Sequence, residues 1–228
     1  MFTTALGNWH SDVSLAAPVN SRIQSILPWV FAAVFALSRW PGLLPPNFSA
    51  AYGLVLCSGA LIPGRLGWSM PLGVLLSTDL GLNLYYHLSG GWEVFTLPML
   101  LSMVANYLGY AGLFGLGRFL GQGARFLTLL ASGFIGAILF YLITNSAAWL
   151  FNPFRNPEYT RDLAGWIVAL TKGTGGYPQT WEFFRNTLLG GGLFTALFAG
   201  SWSWTSDESP AEKGEKAVEE TEAEEPAS

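Results

Sequence analysis

Residues 126–151 read FLTLLASGFIGAILFYLITNSAAWLF, an unbroken stretch without one Asp, Glu, Lys or Arg. A hydrocarbon core about 30 Å thick is crossed by roughly 20 apolar helical residues. The stretch therefore predicts a membrane-spanning helix, and the rest of the chain shares its bias. Of 228 residues, 51% are hydrophobic, 15% aromatic and only 11% charged, where a soluble domain carries roughly 25% charged. This composition argues against a soluble globular domain and for an all-α integral membrane protein. The charge is also badly spread. Nine of the fifteen acids lie in residues 207–228 beside only Lys213 and Lys216, so that segment carries −7 while residues 1–206 carry +3.

Outward from residues 126–151, the apolar runs and turn residues predict a bundle of about six transmembrane helices. Residues 1–21 are polar, contain no apolar run and show no cleavable leader, so the first span would act as an uncleaved anchor. It is expected over Arg22–Trp40, opened by a capping box from Ser21 to Gln24 and anchored by Trp29 and Trp40. The loop Pro41–Asn47 is stiffened by its prolines. The second segment, Phe48–Ile62, is short: it spans if tilted, extended or met by a thinner bilayer, or else it is partly re-entrant. Pro63-Gly-Arg65 turns the chain into a third span at Leu66–Tyr86, and His87–Glu93 makes a short turn. The fourth span is expected over Val94–Leu116, a Gly/Arg-rich loop over 117–125, and the fifth span over Phe126–Phe151.

Residues 152–180 form a polar connection with one amphipathic piece. Leu163, Trp166, Ile167 and Leu170 repeat there at helical spacing, which predicts an interfacial helix. The sixth span begins at Thr180 as a cap, has Glu182 in its first turn and ends near Trp202–Trp204. The domain reading is a polar N-terminal segment (1–21), a six-helix membrane domain (22–204) and a disordered acidic tail (205–228). An even span count puts both termini on one side. Charge hardly orients the bundle, but the short loop with Arg118 and Arg125 favours cytoplasmic termini.

Polar residues inside spans are costly and mark function or interhelical glue. Asp79 is the acid deepest in an apolar span, with Asn83 one turn later on the same face. It contacts a ligand or carries a proton, or it is a buried structural residue bonded to Ser/Asn neighbours or an Arg. Asn106 and Asn145 read as helix-to-helix hydrogen bonds. Arg185 and Asn186 sit at the start of the sixth span, where Glu182 and Arg185 could pair or Arg185 could serve as a gate. Gly190-Gly-Gly192 marks tight packing or a kink. One cysteine (Cys57) and two histidines (His10, His87) give no disulfide and no metal cluster, and no cofactor is expected. Nucleotide-binding motifs and nucleophile–base pairs are missing from the sequence, so neither ATP-driven transport by this chain alone nor enzymatic activity is expected.

Three stretches carry a resemblance: Leu44-Pro-Pro-Asn-Phe-Ser49, Pro71-Leu-Gly-Val-Leu-Leu-Ser-Thr-Asp79, and Phe184-Arg-Asn-Thr-Leu-Leu-Gly190 continuing into Phe194-Thr-Ala-Leu-Phe198. With Thr144-Asn145 and Trp149-Leu150 between them, they look like a family of small bacterial membrane proteins of unassigned function. That family is itself similar to the S components of energy-coupling factor (ECF) transporters, which bind vitamins or metal ions. The resemblance covers roughly residues 25–200. It implies a bacterial plasma membrane location and a six-helix unit with a ligand site near the outer face. Asp79, Asn83, Asn145, Arg185 and Asn186 would then line the site. The roof would come from Asn47, His87, Arg155 and Trp166 in the gating loops. It also implies docking on an ECF-type coupling subunit and its ATPases through an Ala-x-x-x-Ala pair, here Ala32 and Ala36. Where that family tends to carry an acid after Leu-Leu-Gly, this chain has Gly191-Gly192. The expected partners are the lipid bilayer and a small-molecule ligand, with no nucleic acid. The other role open to the chain is that of a structural or accessory membrane subunit, or of an ion or proton carrier using Asp79.

Overall fold

The computed structural model describes residues 19–206, and the acidic segment 207–228 lies outside the described residues. The described residues are all-helical, without a strand: α1 (Val19–Ser38), α2 (Ala51–Leu61), α3 (Leu66–Gly90), α4 (Leu97–Leu120), α5 (Phe126–Phe151), α6 (Leu163–Thr171) and α7 (Thr180–Ser206). Two of them, α4 and α5, are long and apolar enough to cross a membrane. The remaining elements fall short of that standard for different reasons. The apolar parts of α1 and α2 are shorter, and α3 and α7 are long but interrupted by polar residues.

The helix ends follow local backbone chemistry. α5 has the bounds its sequence predicts. α3 does not stop at Tyr86: residues 87–90 continue the helix in place of the expected turn, because nothing in them forces termination. Gly91 ends it in the left-handed region (φ 64°), its N–H bonding the His87 carbonyl. α4 likewise runs past Leu116, so Gly117 and Arg118 are helical and the loop begins at Gly121 (φ 71°). At its start Thr96 is extended and Pro98 occupies the first turn, where a missing N–H is harmless. α1 does not begin at the expected capping box: it is already helical at Val19, so Ser21 and Gln24 both lie within the helix. Thr180 is the first residue of α7 and not its cap; the Gln179 N–H donates to Glu182 Oε1 at 3.2 Å.

The core is organised around α2. Its 11 residues are all buried, and at 1.5 Å per residue they extend only about 16 Å, half the depth of its neighbours. The segment that seemed too short to span is thus a central helix packed on all sides by α4, α7, α3, α5 and α1. Glycines make the approach possible. A Cβ on Gly59 would lie 2.5 Å from the Phe114 carbonyl oxygen, and one on Gly117 would lie 2.2 Å from that of Leu56. Gly190, Gly191 and Gly192 face Ser49, Ala137 and Phe134 in the same way, so the triple glycine marks tight packing. The loop from α1 dips into the bundle to reach α2. The Ala50 N–H donates to Ser38 Oγ (3.0 Å), and Asn186 of α7 donates to the Pro46 carbonyl (2.9 Å).

Both ends of the described chain meet, with Gln24 Nε2 donating to the Thr205 carbonyl at 3.3 Å. This end of the bundle also holds the α2–α3 turn and the α4–α5 loop, joined where Gln122 donates to the Leu61 carbonyl (3.3 Å). The opposite end carries the loops 39–50, 91–96 and 152–179 with α6. Between the two ends the outward faces of the helices are apolar: Leu76, Leu80, Leu108 and Ile135 are each more than half exposed.

Candidate functional site

Arg39, just beyond the last turn of α1, donates through Nη2 to Asp79 Oδ1 in the middle of α3. The second carboxylate oxygen accepts the hydroxyl of Tyr107 from α4 at 2.7 Å. Arg39 also lies over the Phe35 ring, its guanidinium carbon 5.6 Å from the centroid. Both charged side chains are less than one-fifth exposed (19% and 16%). A charge held in such surroundings is tolerable only when paired and hydrogen-bonded, and Asp79 has both kinds of partner. Of the two readings open for Asp79, its oxygens fulfil the one that joins helices to an arginine.

Beside this cluster a cleft of about 390 Å³ opens between α1 and α3. Its walls are Ala36, Thr78, Gly81 and Leu82, with Trp40, Pro41 and Tyr85 toward the loop end and Arg39 at the charged edge. Asp79 is not part of this lining, and its two oxygens are already engaged. The cleft thus presents hydrogen-bond donors from a guanidinium, together with two aromatic side chains and apolar walls. Such a surface suits a flat or partly apolar molecule bearing a carbonyl, carboxylate or phosphate acceptor.

The other expected ligand residues do not converge there. Asn83 turns its amide toward Met103 Sδ of α4, a weak contact at 3.8 Å. Asn145 donates to the Tyr141 carbonyl of its own helix (2.9 Å) and so bridges no two helices; Asn106 has no hydrogen bond to another helix among the described residues. Arg185 is exposed and lies 5.7 Å from the Trp181 ring; the expected Glu182–Arg185 pair does not form, Arg39–Asp79 being the one ion pair among the described residues. Asn186 is buried and pins the proline loop through Pro46. The Ala32/Ala36 docking pair is not a shared exposed patch: Ala32 is buried in the core, and Ala36 lines the cleft. Sequence reasoning missed Arg39 and Tyr107. Arg39 stands at the end of a span, a place normally read as topology; its signal was the lone acid of a nearby span, which needs a cation.

Residues 19–212 match the family model described as "Family of unknown function (DUF6580)". The chain belongs to that family. No curated protein and no solved structure matches it. The match takes in every described helix of this DUF6580 chain, so the cleft and the loops above it are all within family-matched residues.

Those loops are individually braced. Asn47, Asn152 and Arg155 adopt positive φ (62°, 43° and 53°), a region that asparagine tolerates better than arginine. His87 Nδ1 lies 3.0 Å from the Trp92 carbonyl. Arg155 lines a second cavity of about 300 Å³ with Trp92, Glu93 and Asn152. α6 is held on α5 by Trp166 Nε1 donating to Ser146 Oγ at 2.9 Å and by the Tyr141 hydroxyl on the Leu170 carbonyl. Trp166→Phe keeps the ring and removes the donor, so faster amide exchange confined to α6 is expected; unchanged exchange would show the bond to be dispensable.

Asp162 caps α6, its Oδ1 accepting from the Gly165 N–H at 2.8 Å and from the Thr160 hydroxyl at 2.7 Å. The Gly165 bond foremost, then Thr160, holds its carboxyl below the usual carboxylate value. A lowered native pKa means the ionised form is favoured by folding. The cap therefore contributes fully above about pH 4, the unfolded value, and is lost as pH falls through the lower native one. Amide exchange in α6 should be flat from pH 7 to 5, after correction for intrinsic rates, and should accelerate selectively below 4. Asp162→Ala should accelerate it from pH 7 to 5, with parent and variant converging as the parent's own cap is lost at lower pH; a variant indistinguishable from the parent at pH 7 would contradict the cap.

Proposed function

We propose that this chain is a multi-pass membrane protein that binds a small organic molecule in the α1–α3 cleft and serves its uptake. In this role the chain performs no catalysis itself. Five long helices (α1, α3, α4, α5 and α7) would each cross the bilayer, and the dipping loop with α2 would complete a sixth passage. The exposed leucine-rich flanks and the meeting of both described ends at one pole support that count. A cleft that combines an arginine with two aromatic walls is the observation that carries the binding role. Resemblance to ECF S components would add a coupling subunit and ATPases as partners, a bacterial plasma membrane as location, and a vitamin-like ligand. The ligand contact moves from Asp79 to Arg39, because Arg39 lines the cleft and Asp79 does not.

A second role, that of a structural or accessory subunit, is favoured by one specific observation: Asp79 is fully engaged between α1 and α4. The two roles separate on one experiment. Full-length protein in mild detergent is examined by native mass spectrometry, and small molecules released on denaturation are identified. A stoichiometric organic ligand, retained in Asn83→Ala but lost in Gly81→Leu, which fills the cleft at an open glycine, would support uptake. Repeated recovery of empty protein, or of protein bound only to another chain, would favour the accessory subunit.

A further inference from the structure

Charge is segregated along the bundle axis. Arg22 at the start of α1, Arg65 before α3, Arg118 in the last turn of α4 and Arg125 before α5 are all exposed. A cavity of about 530 Å³ lined by Gln24, Pro63, Leu66, Gln122 and Trp202 brings these segments to the same pole. No acid stands at that pole among the described residues. Glu93, Glu158, Asp162 and Glu182 lie at the opposite pole, where four basic residues balance them, and Asp79 is paired with Arg39. The described residues therefore concentrate their whole excess of four positive charges at one end.

A second observation fixes the chemistry of what meets it. Trp68, Phe119 and Trp204 are 50%, 86% and 83% exposed on α3, α4 and α7, each close to that same pole. Large aromatics beside guanidinium groups at the ends of apolar helices match the boundary between acyl chains and headgroups. Arginine forks bind phosphate oxygens in two-point geometry while their stems lie on apolar surface.

We propose that the arginine pole is a binding surface for anionic phospholipid headgroups. The four guanidiniums take the phosphates, and the three aromatics lie among the first carbons of the chains. The surface would orient the protein with this pole on the leaflet richer in anionic lipid. This rests on the membrane placement above, but not on the ligand cleft.

The test uses full-length protein in nanodiscs of phosphatidylcholine alone or mixed with phosphatidylglycerol, with retained lipid read by native mass spectrometry after gentle release. Wild type should retain phosphatidylglycerol over phosphatidylcholine, by a factor of roughly five for each arginine engaged and less at high salt. Arg22→Gln/Arg65→Gln and Arg118→Gln/Arg125→Gln should each reduce that preference, whereas Arg155→Gln/Arg161→Gln at the other pole should not. Two separate pairs guard against one variant failing to fold. Equal retention of both lipids by wild type would overturn the proposal and point to residues 207–228, with their charge of −7, as the occupant of the arginines. An equal effect of the Arg155/Arg161 pair would overturn it too. Failure of the protein to enter nanodiscs of either composition would instead count against the membrane placement itself.

Discussion

Gly117→Leu is expected to prevent the bundle from assembling. At Gly117 a Cβ would meet the Leu56 carbonyl oxygen at 2.2 Å and the Ala60 nitrogen at 3.0 Å, and these are backbone atoms of a wholly buried helix. Neither can swing aside, and α2 has no empty flank to retreat into. Overpacking against side chains alone destabilises by about 1–3 kcal/mol, so a backbone collision at the central contact should exceed that. Gly115→Leu, two residues away with open space around it, is the matched control. In detergent, the control should elute and melt like the parent, while Gly117→Leu should aggregate or lose its cooperative transition. Equal melting of the two variants would mean that α2 and α4 do not approach as described.

Asp79→Ala should have the next largest effect. It removes the counter-charge of Arg39 and the acceptor of the Tyr107 hydroxyl in one step. Breaking a largely buried pair on one side typically destabilises by about 3–5 kcal/mol, whereas replacing both partners with apolar residues of similar volume is often neutral. Asp79→Leu combined with Arg39→Met should therefore recover most of the thermal stability lost in Asp79→Ala. If the double variant melts no higher than the single one, the pair is not what holds α1 to α3. The same double variant should still lose any ligand held by the guanidinium, which separates stability from binding.

The sequence was most legible where one physical rule acted alone. α5 is apolar from end to end, so length and hydropathy fix both bounds, and α6 announces itself by the helical spacing of Leu163, Trp166, Ile167 and Leu170, though its Asp162 cap went unread. Legibility failed where tertiary contact overrode local signals. Residues 117–120 read as the start of a loop but are the last turn of α4, with Gly117 packed on α2, and residues 48–62 read as a deficient span because a segment's burial by its neighbours leaves no mark in its hydropathy. The candidate site was half legible. The demand that Asp79 places on its surroundings is visible from its isolation; the identity of its partners is not, since Arg39 and Tyr107 lie 40 and 28 residues away. Asn145 shows the opposite error, because a polar side chain in a helix can satisfy itself on the carbonyl one turn back.

In the proposed arrangement the bundle is threaded through a membrane with its two poles on opposite sides. Labelling of single cysteines with a membrane-impermeant maleimide tests it most directly, in a Cys57→Ala background, on right-side-out and inside-out vesicles. Arg65→Cys and Gly123→Cys mark one pole, and Glu93→Cys and Glu158→Cys the other; all four positions are exposed. Positions 65 and 123 should label from one side only, and 93 and 158 only from the other. Labelling of all four positions from the same side would contradict this arrangement.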